Sequence, residues 1–204
     1  MYQAIFTEYV QQLLCEGQSI EFFIEGTRSR SGKMLQPKRG LLGLVNDGIF
    51  SGRVKALHYV PISIDYEKTM EGDLYSNELS GDAKIKESLR GLLSASSVLN
   101  VNFGTINVKM GKPISFGDYV EHHTSLVRSG QKRTTFTKYK PTTSNPAPPP
   151  ANAPVANPSF DPWTNRKDTD EVNKALAYEL VHQLAKNTVC MPTHLFATIM
   201  LMYR

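Results

Sequence analysis

Phe22-Phe23-Ile24-Glu25-Gly26-Thr27-Arg28-Ser29-Arg30-Ser31-Gly32-Lys33 is the most informative stretch of this 204-residue chain. Ile20 to Ile24 is an aromatic and β-branched run that predicts a buried strand, and it opens directly into a polar loop reaching Arg39. Loops at that end of an α/β sheet are where ligands tend to bind. Arg28 and Arg30 offer planar forks suited to bidentate contact with a phosphate, and Lys33 adds a point charge. Ser29 and Ser31 supply hydroxyls, while Gly26 and Gly32 let the backbone approach an anion closely. Glu25 follows apolar residues, so its carboxylate is expected at the edge of the core, where it needs a partner. The GxxxxGK[ST] spacing of a Walker loop is absent. Pro37-Lys38-Arg39-Gly40 keeps the cationic density high.

Outward from this stretch, helices and strands alternate. Ile5, Phe6, Tyr9, Val10, Leu13 and Leu14 recur as on one helix face, with Gly17 as the stop. Leu41 to Phe50 predicts a short helix and Leu57 to Asp65 a second buried strand. Ala83 to Ala95 predicts a helix with Ile85, Leu89, Leu92 and Leu93 on one side. Ile106, Val108 and Met110 alternate with polar residues, as in a half-exposed strand. The expected class is α/β: a central mixed sheet flanked by helices, interrupted by a Pro-rich insertion.

That insertion is marked by composition. Eight of the twelve prolines fall between Pro141 and Pro162, amid Ala, Asn, Ser and Thr. Such a stretch buries too little apolar surface to offset its ordering entropy, which predicts disorder. Arg128, Lys132, Arg133, Lys138 and Lys140 form a basic strip before it, either a solvated flank or a membrane-surface contact. Asp168 and Glu171 fit a capping-box start for an amphipathic helix through Val172, Ala175, Leu176, Leu180 and Leu184. Pro192 suits the first position of a second helix. The expected division is 1–125 for the core, 126–167 for the disordered insertion and 168–204 for a helical segment truncated at its end.

The net charge of +4 suits phosphates or an anionic membrane surface and is too small to announce nucleic acid. Cys15 and Cys190 form neither a disulfide framework nor a metal pattern, so buried inert thiols in a reducing compartment are expected. No signal peptide is evident, and no apolar run reaches the ~18 residues of a membrane span. The nearest, Val189 to Tyr203, is broken by Pro192 and His194. His58 and His194 are expected to be packed or partly buried, and His122-His123 to lie on the surface rather than bind metal.

Several motifs in order resemble one family. EFFIEGTRSRSGK (residues 21–33) is similar to the third conserved block of the glycerol-3-phosphate and dihydroxyacetone-phosphate acyltransferases, roughly F-x-E-G-x-R-S-R-x-x-K/R. Val60-Pro61-Ile62-Ser63-Ile64-Asp65-Tyr66-Glu67 resembles their fourth block. Leu74-Tyr75, Glu78-Leu79, Lys86-Glu87-Ser88 and Asn102-Phe103-Gly104 follow suit. Gly111-Lys112-Pro113-Ile114-Ser115 resembles their G-x-P-hydrophobic-S turn. The likeness covers Tyr2 to Tyr119 and resumes more weakly from Val172.

The resemblance implies that Phe23, Glu25, Gly26, Thr27, Arg28, Ser29, Arg30 and Lys33 hold a phosphate substrate, with Pro61 shaping the wall. It implies transfer of a long-chain acyl group from acyl-CoA to the first-carbon hydroxyl of glycerol 3-phosphate, or of dihydroxyacetone phosphate as runner-up. No metal or prosthetic group is implied; acyl-CoA is a co-substrate. Membrane association is implied, at the mitochondrial outer membrane ahead of the peroxisomal membrane, and no nucleic-acid partner. In the family an H-x-x-x-x-D pair removes the hydroxyl proton. The five histidines are followed at that spacing by Ser63, Val127, Arg128, Asn187 and Ile199, so no residue of this chain is assigned a catalytic role. The G-x-x-F-I-R-R block is absent as well. The expectation is therefore a fragment of such an enzyme. The alternative of another class is a non-catalytic module binding phosphate or lipid head groups.

Overall fold

The computed structural model describes residues 2–27, 29, 33–68, 102–130 and 157–203. The chain divides into two units. The first comprises Met1–Thr27, Leu35–Pro61 and Lys112–Gln183. The second comprises Arg28–Met34, Ile62–Gly111 and Leu184–Arg204.

In the first unit, the periodic residues near the start form α1 (Tyr2–Cys15). Gly17 ends it in the left-handed region (φ 74°), with its N–H on the Leu14 carbonyl and the Gln18 N–H on that of Leu13. This is a Schellman arrangement, which satisfies carbonyls the helix end would leave open. The expected apolar face is largely uncovered: Val10 is buried, but Ile5 is 64% exposed and Tyr9 60%. Helix α2 (Gly40–Phe50) is better covered, with Leu42, Val45, Asn46 and Ile49 buried.

Strand β1 (His58–Tyr59) pairs antiparallel with β4 (Ile114–Ser115), whereas β2 (Ile62–Tyr66) and β3 (Ile106–Met110) belong to the second unit. Ser115 caps α3 (Phe116–Ser129) by accepting from the Asp118 N–H, and Gly130 closes it at φ 67°. Asp118 in the first turn and Arg128 in the last complement the helix dipole. The core gathers Leu42, Phe116, Val120, Phe160, Val172 and Leu176. Phe50 meets Phe116 edge-on at 5.4 Å and Trp163 at 5.2 Å.

A buried polar chain threads this core. The Tyr59 hydroxyl donates to Asn46 Oδ1 (2.7 Å), and Asn46 Nδ2 donates to Asn173 Oδ1 (2.7 Å). Burial pushes the Tyr59 phenol far above its ordinary range. Asn173 belongs to α4 (Arg166–Asn187), which starts two residues before the expected Asp168. Asn165 Oδ1 accepts the Lys167 N–H there, and Asp168 instead takes the Asp161 N–H (2.8 Å). The capping box expected at Asp168 and Glu171 is thus replaced by a cap at Asn165.

In the second unit, β2 and β3 pair antiparallel from Ile62↔Met110 to Tyr66↔Ile106. One face carries Ser63 and Asp65, which reach the end of α4 and the turn beyond it. Ser63 Oγ donates to the Leu184 carbonyl (2.9 Å), and Asp65 Oδ2 accepts the Val189 N–H (2.9 Å). The other face carries Ile62, Ile64, Tyr66, Ile106, Val108 and Met110, all between 42% and 71% exposed. Glu67 Oε2 accepts from the N–H and hydroxyl of Thr105, which holds its carboxyl below the usual range. Helix α5 (Pro192–Met202) begins at Pro192 as expected, and none of its residues is buried.

The α/β class stands, and the strand pairings described are antiparallel. Ile20–Ile24 is not a strand: its backbone is irregular, with Ile24 buried and Phe23 outward. Leu57–Asp65 is not one buried strand. Pro61, which has no N–H for a ladder, separates β1 from β2, and Ile62 and Ile64 are exposed. Cys15 and Cys190 are exposed rather than buried. Of the insertion expected over 126–167, residues 126–129 belong to α3 and Phe160 is in the core. Residues 131–156 and the helix expected over 83–95 lie outside the described residues.

Candidate functional site

The loop expected to hold a phosphate begins where Ile24 plugs into the first unit and Phe23 turns out, 80% exposed. The chain then reverses at Gly26. Its N–H donates to the Phe23 carbonyl (3.0 Å), and its φ of 63° lies in the left-handed region, open to glycine without the Cβ clash. Glu25 is half-buried, as its position after an apolar run predicts, and its Oε2 accepts the Leu35 N–H (2.8 Å). The partner that the carboxylate needs is therefore a backbone amide.

The returning limb is fixed at two further points. The Lys38 N–H donates to the Ile24 carbonyl (2.8 Å), and the Tyr178 hydroxyl of α4 donates to Gln36 Oε1 (2.5 Å). A Cβ added to Gly26 would lie 2.8 Å from Lys38 Cδ and 3.6 Å from its Cβ and Cε. The lysine stem thus lies along the space that glycine leaves open. Glu25, Ile24, Leu35 and Lys38 together tie the two limbs that flank residues 28–34.

Of the residues expected at this site, Phe23, Glu25, Gly26 and Thr27 are brought together with the limb Leu35–Lys38 in the first unit. Ser29 is half-buried, Lys33 is exposed, and both fall in the second unit. Arg28 and Arg30 lie outside the described residues. Pro61 is buried at the end of β1's connection to β2. Two features escaped the sequence reading: the backbone partner of Glu25 and the seating of Lys38 on Gly26. An E-G pair before a long polar loop hints at the second, because only a residue without Cβ leaves room for a stem.

A cavity of about 500 Å³ opens between α1, α2 and the start of α4, lined in part by Asp47, Trp163, Arg166 and Asn173. None of its lining residues comes from 22–39, so it is not the loop's pocket. Burial raises the Asp47 carboxyl, Arg166 opposes this, and Asp170 adds to it.

The histidines divide differently from expectation. His58 and His194 are exposed, and His194 Nδ1 accepts the Met191 N–H (3.4 Å) in front of α5. His123 is buried, not on the surface, stacked on Tyr119 at 6.1 Å and tilted against Phe160 at 5.7 Å. Its period within α3 matches Phe116, Tyr119 and Val120, so it completes the helix's core face. Among the described residues no group of three His, Cys, Asp or Glu is placed to hold a metal ion. Among them too, no helix is long and apolar enough to cross a membrane.

Residues 75–204 match the family described as glycerol-3-phosphate acyltransferase C-terminal region. The chain belongs to this family. Residues 1–65 match the acyltransferase family as well, so the glycerol-3-phosphate acyltransferase match takes up after the loop and its two flanking limbs. Among curated proteins, the dihydroxyacetone phosphate acyltransferase of Homo sapiens is 50% identical over 116 residues, which is 56% of this chain and 17% of that protein. That of Mus musculus is 48% identical over the same length and the same shares. The glycerol-3-phosphate acyltransferase of Xanthomonas axonopodis pv. citri is 44% identical over 124 residues, 60% of this chain and 14% of that protein. The aligned part of this glycerol-3-phosphate acyltransferase family member thus spans about one sixth of those relatives' length.

Proposed function

We propose that this chain is the acceptor-gripping part of an O-acyltransferase of glycerolipid synthesis. The enzyme moves a long-chain acyl group from acyl-CoA to the sn-1 hydroxyl of glycerol 3-phosphate, the first commitment toward phospholipid and triacylglycerol. The observation that supports this is the tie between the limbs flanking residues 28–33, through the Leu35 N–H to Glu25 and the Lys38 N–H to the Ile24 carbonyl, in a chain belonging to this family.

In this reading Arg28 and Arg30 take the phosphate by charge-assisted, bidentate hydrogen bonds, with Ser29, Thr27 and Lys33 as further donors. Phe23 and Pro61 line the approach. The acceptor oxygen forms a C–O bond to the thioester carbon, the C–S bond breaks, and the thiol of CoA leaves. The H-x-x-x-x-D pair that would take the hydroxyl proton is not among residues 1–204, so these residues supply the grip and not the base. The enzyme acts at a membrane surface, the mitochondrial outer membrane ahead of the peroxisomal one.

A second reading takes dihydroxyacetone phosphate as the acceptor. It is favoured by identities of 48–50% to proteins of that name, against 44% to the Xanthomonas protein. Titrating the chain with both three-carbon phosphates and with an inositol phosphate separates the possibilities. Tighter, salt-resistant binding of a three-carbon phosphate supports the acyltransferase reading. Preference for the inositol phosphate would overturn it in favour of a head-group module. In a longer, active polypeptide, Arg28→Lys should raise KM for the phosphate substrate about tenfold or more with little change in KM for acyl-CoA.

A further inference from the structure

We propose that the cavity between α1, α2 and the start of α4 is a binding site for a small amino alcohol, a ligand that sets an ammonium group against Asp47 and an oxygen against Asn173. Every lining residue belongs to the first unit, and the inference does not rest on the function proposed above.

Three observations carry it. The first is Asp47, half-buried on α2, whose carboxylate accepts no hydrogen bond and enters no ion pair among the described residues. A carboxylate removed from water without a partner is costly, and an ammonium arriving in the cavity relieves that cost. Burial raises this carboxyl, and Asp170 raises it further against the opposing pull of Arg166. No other lining residue is charged. Two carboxylates against one guanidinium leave a surplus of negative charge, which favours a cation.

The second observation is Asn173, 5% exposed yet part of the cavity wall. Its Oδ1 accepts from Asn46 (2.7 Å), while among the described residues its Nδ2 donates to nothing. Unused N–H groups on so buried a side chain need an acceptor, and a hydroxyl oxygen of the ligand supplies one. The third is Trp163, held against the ring of Phe50 at 5.2 Å and still 50% exposed. An indole face in the wall attracts an ammonium through its ring electrons. The volume of about 500 Å³ admits such a ligand with room for a substituent.

Ethanolamine is the probe, the full 204-residue chain is the protein, and the fluorescence of Trp163, its sole tryptophan, is the readout. At neutral pH and constant ionic strength the emission should change along a saturable curve with a Kd of about 1–10 mM. Ethylene glycol, which lacks the ammonium, should leave the emission unchanged. Asp47→Asn keeps the shape and removes the charge; it should weaken ethanolamine binding about tenfold or more. Arg166→Gln removes the competing cation and should tighten binding about twofold or more. Urea unfolding of both variants controls for folding. A response that does not saturate by about 100 mM overturns the inference, as does an equal response to ethylene glycol. Wild-type affinity in folded Asp47→Asn overturns it as well. Weaker binding in Arg166→Gln would do the same, because the guanidinium would then be holding the ligand.

Discussion

Replacing Gly26 by alanine tests whether the tie between the two limbs is built as described. Four glycines of the first unit share a left-handed backbone, and three of them, Gly17 at φ 74°, Gly26 at 63° and Gly52 at 73°, make the comparison. Alanine in that region costs about 1–2 kcal/mol, offset by about 0.4–1 kcal/mol because the unfolded chain also loses freedom. Those two contributions are common to all three positions and cancel when the variants are compared. What differs is the surroundings. A Cβ at Gly17 or Gly52 meets nothing within 4 Å, whereas at Gly26 it would sit 2.8 Å from Lys38 Cδ. The lysine stem must leave its rotamer, at about 0.5–1.5 kcal/mol. Gly26→Ala should therefore destabilise by about 0.5–1.5 kcal/mol more than Gly17→Ala or Gly52→Ala. Urea unfolding followed through Trp163, the sole tryptophan, reads this directly. In a Lys38→Ala background only the ordinary contact at Cβ remains, and the excess should vanish. Three equal destabilisations, or an excess that survives Lys38→Ala, would refute the seating of Lys38 on Gly26.

Tyr59→Phe keeps the ring against Phe116 and removes the hydroxyl that donates to Asn46; with a buried acceptor left open, urea unfolding should show a loss of about 1–3 kcal/mol. Asp47 has its carboxyl raised by burial, so the folded state holds its proton more tightly than the unfolded one. Stability is then lost as pH rises from the ordinary aspartate range through the raised value, and Asp47→Asn should remove that loss; urea midpoints from pH 3 to 7 check it. Glu67 shifts the other way, held down by the Thr105 N–H and hydroxyl. Its contribution is present above the ordinary glutamate value and fades as pH falls through the lower folded one, where the protection factor of the Thr105 amide should drop; Glu67→Gln should flatten that drop.

Helices were the most legible elements. The spacing of Val10, Leu13 and Leu14 and the stop at Gly17 located α1, and Pro192 marked the start of α5. Periodicity says which side is apolar, however, and not whether anything covers it, so the exposure of Ile5 and Tyr9 was invisible. Ile20–Ile24 read as a strand because its composition is that of one. A strand also needs a neighbour to receive its hydrogen bonds, and composition does not name one. Here the Ile24 carbonyl is taken by Lys38, a residue of its own return limb. At the site, residue types disclosed the anion chemistry, and the half-burial of Glu25 followed from the apolar run before it. The Leu35 and Lys38 contacts were illegible because they close across ten and fourteen residues of loop. His123 was misjudged through its neighbour: a His-His pair suggests a surface motif, whereas α3's period sends the second ring inward beside Phe160.

The bare face of the β2–β3 ribbon bears on anyone who handles this polypeptide. Six large side chains, from Ile62 to Met110, repeat along two strands with no charge among them. Uncovered apolar ribbons of this kind favour self-association in dilute buffer. The working concentration of the purified chain, more than its melting temperature, then sets what can be measured. Light scattering should climb with concentration well below the denaturation midpoint, and Val108→Lys should raise the ceiling.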